Sequence, residues 1–127
     1  MKPWRQMKGG AVESAGSLAG LPLIVGGRSS GARVACRTAV AAGAAGILAL
    51  AFPLHPPGKP DASRAEELLT GVPTLVINGA RDPFGVPEAS PGVTVTVRPG
   101  DDHSLKRDPA GLGELVVEWL RGRGWAA

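Results

Sequence analysis

Four short apolar segments recur along the chain and are separated by stretches of mixed polarity. Glycine, proline or charged residues bound each of them, which favours buried β-strands over helices. The predicted strands are 21–25, 46–51, 72–78 and 93–98. Apolar and polar side chains alternate in the last segment, as is typical of a half-exposed strand at the edge of a sheet.

Helices are predicted between these strands and after the last one. Segment 30–42 repeats small apolar residues at helical spacing, and its predicted buried face consists of Ala32, Ala35, Cys36, Ala39 and Val40. A shorter helix is predicted over 62–70, where Glu66 and Glu67 add negative charge. Small side chains on a buried helix face allow that helix to lie close to a sheet.

The clearest helical pattern covers 108–122. We expect Asp108 to be the N-cap and Pro109 the first helical residue, because proline lacks the N–H that the first turn leaves unpaired. The apolar stripe of this helix consists of Leu112, Leu115, Val116, Trp119 and Leu120. Such a stripe predicts that the helix covers one face of the sheet.

The alternation of strands and helices predicts an α/β domain over 21–127, with about four parallel strands and helices on both faces. The length of 127 residues is that of one domain. Residues 1–20 are expected to form an irregular N-terminal segment with few core-forming side chains. In a parallel sheet, the loops after the strands converge at one edge, which is where a site is expected.

One such loop carries the pattern G-x-S-x-G, at Gly27 to Gly31, directly after the first predicted strand. This pattern between a strand and a helix is typical of a nucleophile elbow, and it makes Ser29 the candidate nucleophile. We expect Gly27 and Gly31 to be required because backbone crowds backbone in so tight a turn. A serine that caps the following helix would give the same pattern.

A serine nucleophile needs a base and a carboxylate, and both candidates follow later strands. Asp82 comes after the third strand and His103 after the fourth, in the order that a Ser-Asp-His triad takes on this type of sheet. Asp82 before Pro83 also suits an ordinary turn. His103 also suits an exposed loop. The rival carboxylates Asp101 and Asp102 are interpreted as solvated loop charges.

The chain resembles the α/β-hydrolase fold, and more narrowly its dienelactone-hydrolase-like branch, which includes the KANL3/Tex30 hydrolase-like domains. The residues that carry the resemblance are 26–33, 52–59, 79–85 and 102–104. The resemblance implies that Ser29 is the nucleophile, Asp82 the acid and His103 the base. It covers the chain from about Leu21 onward, and several strands and helices that normally precede the elbow are missing from it.

The resemblance implies a serine hydrolase of the esterase or acyl-hydrolase type, acting on a small ester-like substrate. The amide of Ser30 would donate to the oxyanion, and Arg28, His55 and Phe84 would line the pocket. Because no upstream loop supplies a second oxyanion donor, weak or absent activity is expected. The alternative is a non-catalytic α/β-hydrolase-like interaction domain. Strand 21–25, without a neighbour on one side, would favour self-association.

Composition argues against other classes of function. The cations are scattered, with a net charge of +3, so nucleic-acid binding is not expected. Two histidines and one cysteine without ligand-like spacing give no metal site, and no cofactor is expected. The longest apolar run, 39–53, is too short to span a bilayer as a helix. The single cysteine and the absence of a signal-like start favour the cytoplasm.

Overall fold

A computed structural model describes residues 21–127, and the predicted irregular segment 1–20 lies outside the described residues. The elements, in chain order, are β1 (Ile24–Arg28), α1 (Ser30–Ala42), β2 (Gly46–Leu50), a 3₁₀ turn (Ala65–Leu68), β3 (Thr74–Gly79), β4 (Val93–Arg98) and α2 (Pro109–Gly122). The four strands form one parallel sheet in the order β1-β2-β3-β4. The predicted α/β class, with four parallel strands, is therefore confirmed.

The two helices cover opposite faces of the sheet, and each packs against alternate side chains of the strands because successive strand side chains point to opposite sides. Ile47, Ala49 and Val76 pack on the side of α1, in a cluster that also contains Leu68. The intervening residues pack on the side of α2, and they are Leu48, Leu50, Leu75 and Ile77. Most of the side chains predicted to form the α2 stripe pack there, namely Leu112, Leu115, Val116 and Trp119.

The buried face of α1 is close to its prediction. Ala32, Ala35, Cys36 and Ala39 are buried, whereas Val40 is 65% exposed. The prediction for Val40 was therefore wrong, because this residue lies in the last turn of α1, which ends at Ala42 before a left-handed Gly43, and only Ala39 of that turn is buried. Three buried alanines explain how the helix approaches the strands so closely.

β1 begins three residues later than predicted and continues through two glycines. Gly26 and Gly27 pair with Leu48 and Ala49 of β2, so the strand runs on to Arg28. At Gly26, an added Cβ would lie 3.1 Å from the Cβ of Leu48. The glycines are therefore part of the strand rather than its boundary. Among the strands of residues 21–127, this one forms an edge of the sheet, and self-association through that edge stays a prediction.

The predicted helix over 62–70 is reduced to the 3₁₀ turn. The amide of Arg64 donates to the carbonyl of Leu54, and the amide of Ala62 donates to Lys59. These bonds tie the start of the segment to the preceding proline-rich loop, so a regular first turn does not form. Only short-range bonds remain, such as the one from the amide of Glu67 to Arg64.

A bidentate ion pair fastens this turn to α1. Arg33 donates from Nε and Nη2 to the two carboxylate oxygens of Glu67, at 2.9 and 2.8 Å. These hydrogen bonds hold the pKa of Glu67 below its ordinary value, and Arg37 and Arg64 add electrostatic attraction. Both side chains of the pair are about three-quarters covered. The pair therefore links the crossover after β2 to the helix that follows Ser29.

The turn between β1 and α1 is crowded by backbone. A Cβ added at Gly27 would overlap the carbonyl group of Gly31, and neither backbone segment can yield. A Cβ at Gly31, in contrast, meets nothing within 4 Å. The expectation that both glycines are required was therefore wrong for Gly31, because its own missing side chain would point into open space. Gly27 alone needs to lack a side chain here.

Among the described residues, no helix combines the length and hydropathy needed to cross a membrane.

The unequal glycines give a matched pair of variants. Gly27→Ala is expected to destabilise the protein by about 2 kcal/mol or more, because overpacking against backbone forces the turn apart. Gly31→Ala is expected to stay within about 1 kcal/mol of wild type, since alanine is the better helix former. Urea unfolding measures both. Equal losses in the two variants would contradict the crowding described here.

The Arg33–Glu67 pair predicts a pH-dependent stability. A carboxyl whose pKa is lower in the folded state stabilises the protein above its unfolded pKa, and that contribution disappears as the pH falls through the folded pKa. Glu67→Gln should therefore cost about 1 kcal/mol at pH 7 and much less at pH 3. The exposed neighbour substitution Glu66→Gln is the control and should cost little at either pH. A loss from Glu67→Gln that is the same at both pH values would refute this assignment.

Candidate active site

Ser29 occupies the residue before α1 in a strained conformation. Its φ of 57° and ψ of −122° fall in a region that non-glycine residues rarely adopt. Its amide donates to the carbonyl of Leu50 at 2.9 Å, which extends the β1–β2 pairing by one step. The side chain makes no capping hydrogen bond to α1. A helix-capping role, which the sequence left open, therefore does not describe this serine.

The Ser29 side chain instead begins a chain of hydrogen bonds across three strand-end loops. Its Oγ lies 2.8 Å from Nε2 of His103, and Nδ1 of His103 lies 2.8 Å from Oδ2 of Asp82. With the imidazole proton on Nδ1, the ring donates to Asp82 and its Nε2 accepts from the Ser29 hydroxyl. The structure thus brings together three residues that are far apart in sequence.

Burial differs along this Ser29–His103–Asp82 chain. The Asp82 side chain is fully buried, whereas that of His103 is 26% exposed. The second carboxylate oxygen of Asp82 accepts the amide of Phe84 at 2.8 Å. The turn interpretation of Asp82 is therefore also valid, since one oxygen closes the turn while the other faces His103. A buried carboxylate with both oxygens occupied has its orientation fixed.

The loop that carries His103 is held on several sides. Arg28 donates to the carbonyl of Ser104, and Asp102 accepts both the amide and the hydroxyl of Ser104. These bonds from Ser104 lower the pKa of Asp102. The next residue, Leu105, has a φ of 53° and is buried. The imidazole is therefore presented by a loop with little freedom.

Asp101 differs from its sequence interpretation as a solvated charge. It is only 4% exposed, its Oδ1 accepts the amide of Arg107, and its backbone carbonyl accepts the amide of Arg81. The loop folds inward at this point because Gly79, at the end of β3, leaves room for the Asp101 carbonyl. A Cβ at Gly79 would overlap that carbonyl. Asp101 therefore organises the loop, while the exposed Asp102 matches its prediction.

The three residues predicted to line a pocket lie around the same edge. Arg28 is exposed and makes its bond to Ser104, one residue from His103. The ring of Phe84 packs on that of His103, with centroids 4.3 Å apart. The amide of His55 donates to the carbonyl of Phe84, and its Nδ1 bonds to the carbonyl of Pro56.

The amide of Ser30, proposed from sequence as an oxyanion donor, is the first N–H of α1. The first amides of a helix have no acceptor within it and carry a partial positive charge. This amide follows directly on the residue whose Oγ contacts His103. The position of this amide next to Ser29 is therefore suited to donate a hydrogen bond to an anionic oxygen of a group bound beside Oγ.

Asn78 is a residue that the sequence analysis missed. It is fully buried at the end of β3. Its amide side chain exchanges two hydrogen bonds with the backbone of Phe52 and donates a third to the carbonyl of Gly85, all at 3.1 Å. It thereby joins the loop after β2 to the turn that holds Asp82. A polar residue closing an apolar strand, as in Thr-Leu-Val-Ile-Asn, is the signal that could have revealed it.

The described residues offer neither a reactive thiol nor a metal-binding cluster. Burial raises the pKa of the Cys36 thiol to about 11, so it stays protonated near neutral pH. No group of three or more His, Cys, Asp or Glu side chains is arranged for a metal ion between residues 21 and 127. Two surface depressions, one along α2 and one between α2 and strands β3 and β4, include none of the three hydrogen-bonded residues.

Comparison with solved structures finds the same fold elsewhere. The chain is similar to a structure described as an alpha-beta serine hydrolase homologue from Coxiella burnetii, with a TM-score of 0.60 and 19% sequence identity. The match covers 85% of this chain and 53% of that protein, so the chain spans about half of its length. At this identity, the likeness shows the fold alone. The comparison with curated protein sequences finds no relative.

The sequence also matches a family model over most of its length. The model is that of the alpha/beta hydrolase domain, and the match extends over residues 4–111. It includes the loops that carry Ser29, Asp82 and His103. The parallel sheet agrees with this match, as does the order of these three residues along the chain. The chain belongs to the alpha/beta hydrolase domain family.

Proposed function

We propose that this protein is a serine hydrolase of the esterase or acyl-hydrolase type, in which Ser29, His103 and Asp82 form the catalytic triad. One observation carries the proposal: the Ser29 hydroxyl, in a position where serine normally caps a helix, is directed to His103 instead. The strained backbone of Ser29 supports it, because strain of this kind is concentrated at functional sites. We interpret the turn from Gly27 to Gly31 as a nucleophile elbow.

Acylation follows from the atoms in contact. Ser29 Oγ attacks the carbonyl carbon of the ester while His103 Nε2 takes the hydroxyl proton. The imidazolium that forms is stabilised by the buried Asp82 carboxylate, which accepts a hydrogen bond from Nδ1–H and stays ionised. The carbonyl oxygen becomes an oxyanion beside the Ser30 amide. When the intermediate collapses, the C–O bond to the alcohol breaks and the alcohol leaves with the proton from Nε2.

Deacylation uses the same groups in the same order. A water molecule donates a proton to His103 Nε2 and attacks the acyl carbon of the Ser29 ester. The bond to Oγ then breaks, Oγ recovers the proton from Nε2, and a carboxylic acid is released. His103 is 26% exposed at its side chain, which leaves an approach for water and substrate. The net reaction is ester plus water giving acid plus alcohol.

The finer assignments from sequence remain part of this proposal. We place the protein in the dienelactone-hydrolase-like branch, with Arg28, His55 and Phe84 near the bound substrate and the cytoplasm as its location. The exposed guanidinium of Arg28 donates to the carbonyl of Ser104, the residue after His103, and the ring of Phe84 packs on the His103 ring. A small ester-like substrate suits an edge of the sheet that is open to solvent.

A fluorophosphonate probe tests the nucleophile. Wild-type protein should be labelled on a single site, and Ser29→Ala should lose labelling to the level of the background, because phosphonylation needs the activated hydroxyl. Ser30→Ala is the matched control, since it keeps the Ser30 amide and should be labelled at a rate close to that of wild type. In-gel fluorescence and intact-mass analysis measure the labelling. Persistent labelling of Ser29→Ala would disprove the assignment.

The same labelling experiment distinguishes a serine hydrolase from the alternative that the sequence left open, a non-catalytic interaction domain. A non-catalytic interaction domain would be labelled in neither wild type nor Ser30→Ala, although both would be folded. Circular dichroism and thermal unfolding establish the folded state independently of labelling. Folded wild-type protein that resists the probe would therefore favour the interaction domain and contradict the hydrolase proposal.

A further inference from the structure

We propose that Phe84 is a positioning residue that aligns both the acid and the base of the triad. The inference rests on the proposed function for its catalytic consequence, but its structural content is independent of turnover. Among the side chains around the site, Phe84 contacts both partners of the Asp82–His103 bond. Its backbone reaches the carboxylate and its ring reaches the imidazole.

The contact with the acid fixes the plane of the Asp82 carboxylate. The Phe84 amide donates to Oδ1 of Asp82 at 2.8 Å. With Oδ1 occupied in this way, Oδ2 is directed to Nδ1 of His103, also at 2.8 Å. Rotation of the carboxylate about its last bond would break both hydrogen bonds together. The amide of Phe84 therefore fixes the orientation of the Asp82 carboxylate.

The contact with the base restricts the plane of the imidazole. The Phe84 and His103 rings lie with centroids 4.3 Å apart and planes 30° apart, close to a stacked arrangement. Stacking of this kind covers one face of the imidazole and leaves both ring nitrogens free at its edge. Nδ1 can then meet Asp82 while Nε2 meets Ser29. A ring turned out of this plane could not reach both partners.

Phe84 is itself held in place, which a positioning role requires. Its carbonyl accepts the amide of His55 at 3.0 Å, and the amide of Gly85 closes the turn onto the Asp82 carbonyl. Gly85 has a φ of 90°, and a Cβ there would come within 2.6 Å of Nε2 of His55. The carbonyl of Gly85 accepts the side-chain amide of Asn78. These hydrogen bonds hold Phe84, which carries the ring, and Gly85, which closes the turn.

The direct test observes the Asp82–His103 hydrogen bond by proton NMR. In wild type, a downfield imidazole N–H resonance is expected, and the variant His103→Gln identifies it by its loss. Phe84→Leu keeps an apolar side chain and the backbone amide but removes the aromatic face, so the resonance should broaden or disappear through exchange. Phe84→Tyr retains the face and should restore it. An unchanged resonance in a folded Phe84→Leu protein would overturn the proposal.

The catalytic consequence is measured with the fluorophosphonate probe at increasing concentrations. Phe84→Leu should lower the maximal rate of phosphonylation by roughly tenfold or more, as misplacement of a catalytic group does, while the probe concentration at half-maximal rate changes little. Phe84→Tyr should recover most of the rate. A Phe84→Leu effect confined to the half-maximal concentration would assign the ring to substrate binding and contradict positioning.

The imidazole N–H resonance and the labelling rate together distinguish a failure of the Phe84 proposal from a failure of the hydrolase proposal. Wild-type protein that shows the resonance but no labelling would refute the hydrolase proposal and leave the role of Phe84 in aligning His103 supported. Wild-type protein that is labelled, together with a Phe84→Leu variant that has the same rate and the same resonance, would refute the role of Phe84 alone. Thermal unfolding of each variant confirms that the comparison is between folded proteins.

Discussion

Close approach of backbone to backbone at the carboxyl end of the sheet is the constraint on which the candidate site depends. Gly27 abuts the carbonyl of Gly31, and Gly79 abuts the carbonyl of Asp101. The first contact turns the chain sharply from β1 into α1 at Ser29. The second draws the loop after β4 over the end of β3, which brings His103 within 2.8 Å of the Ser29 hydroxyl. A side chain at either glycine would separate these loops.

The rest of the fold stabilises this strained edge. Three non-glycine residues of the described chain have positive φ, and all follow strands at this end: Ser29, Ala51 and Leu105. Each such residue costs about 1–3 kcal/mol, which the surrounding structure offsets. Ala51 and Leu105 are buried on the face that α2 covers, and the Ser29 amide bonds to β2. The apolar layers on both faces thus hold a local geometry that the loops would not keep alone, and in that geometry Ser29 Oγ lies 2.8 Å from His103 Nε2.

Periodicity and order in the sequence predicted much of this arrangement, and the failures have specific physical causes. β4, α1 and α2 lie where the pattern predicted them, because each combines a clear period with a cap or glycine boundary. β1 was placed too early, since glycine in a strand resembles a strand end when read without its partner β2. The helix over 62–70 was overestimated, because the bond from Arg64 to Leu54 is long-range. Asp101 and Asn78 depend on contacts with loops distant in sequence, which no local pattern encodes.

The central claim is that Ser29, His103 and Asp82 act together as one proton-transfer unit. Time-resolved intact-mass analysis with 4-nitrophenyl acetate, followed by peptide mapping, measures this most directly. The account predicts a single acetyl group on Ser29 that forms and then decays as water hydrolyses it, and that is strongly reduced in Asp82→Asn because the imidazole loses its partner. Acetylation on another residue, or on Ser29 at the same rate in Asp82→Asn, would contradict the account.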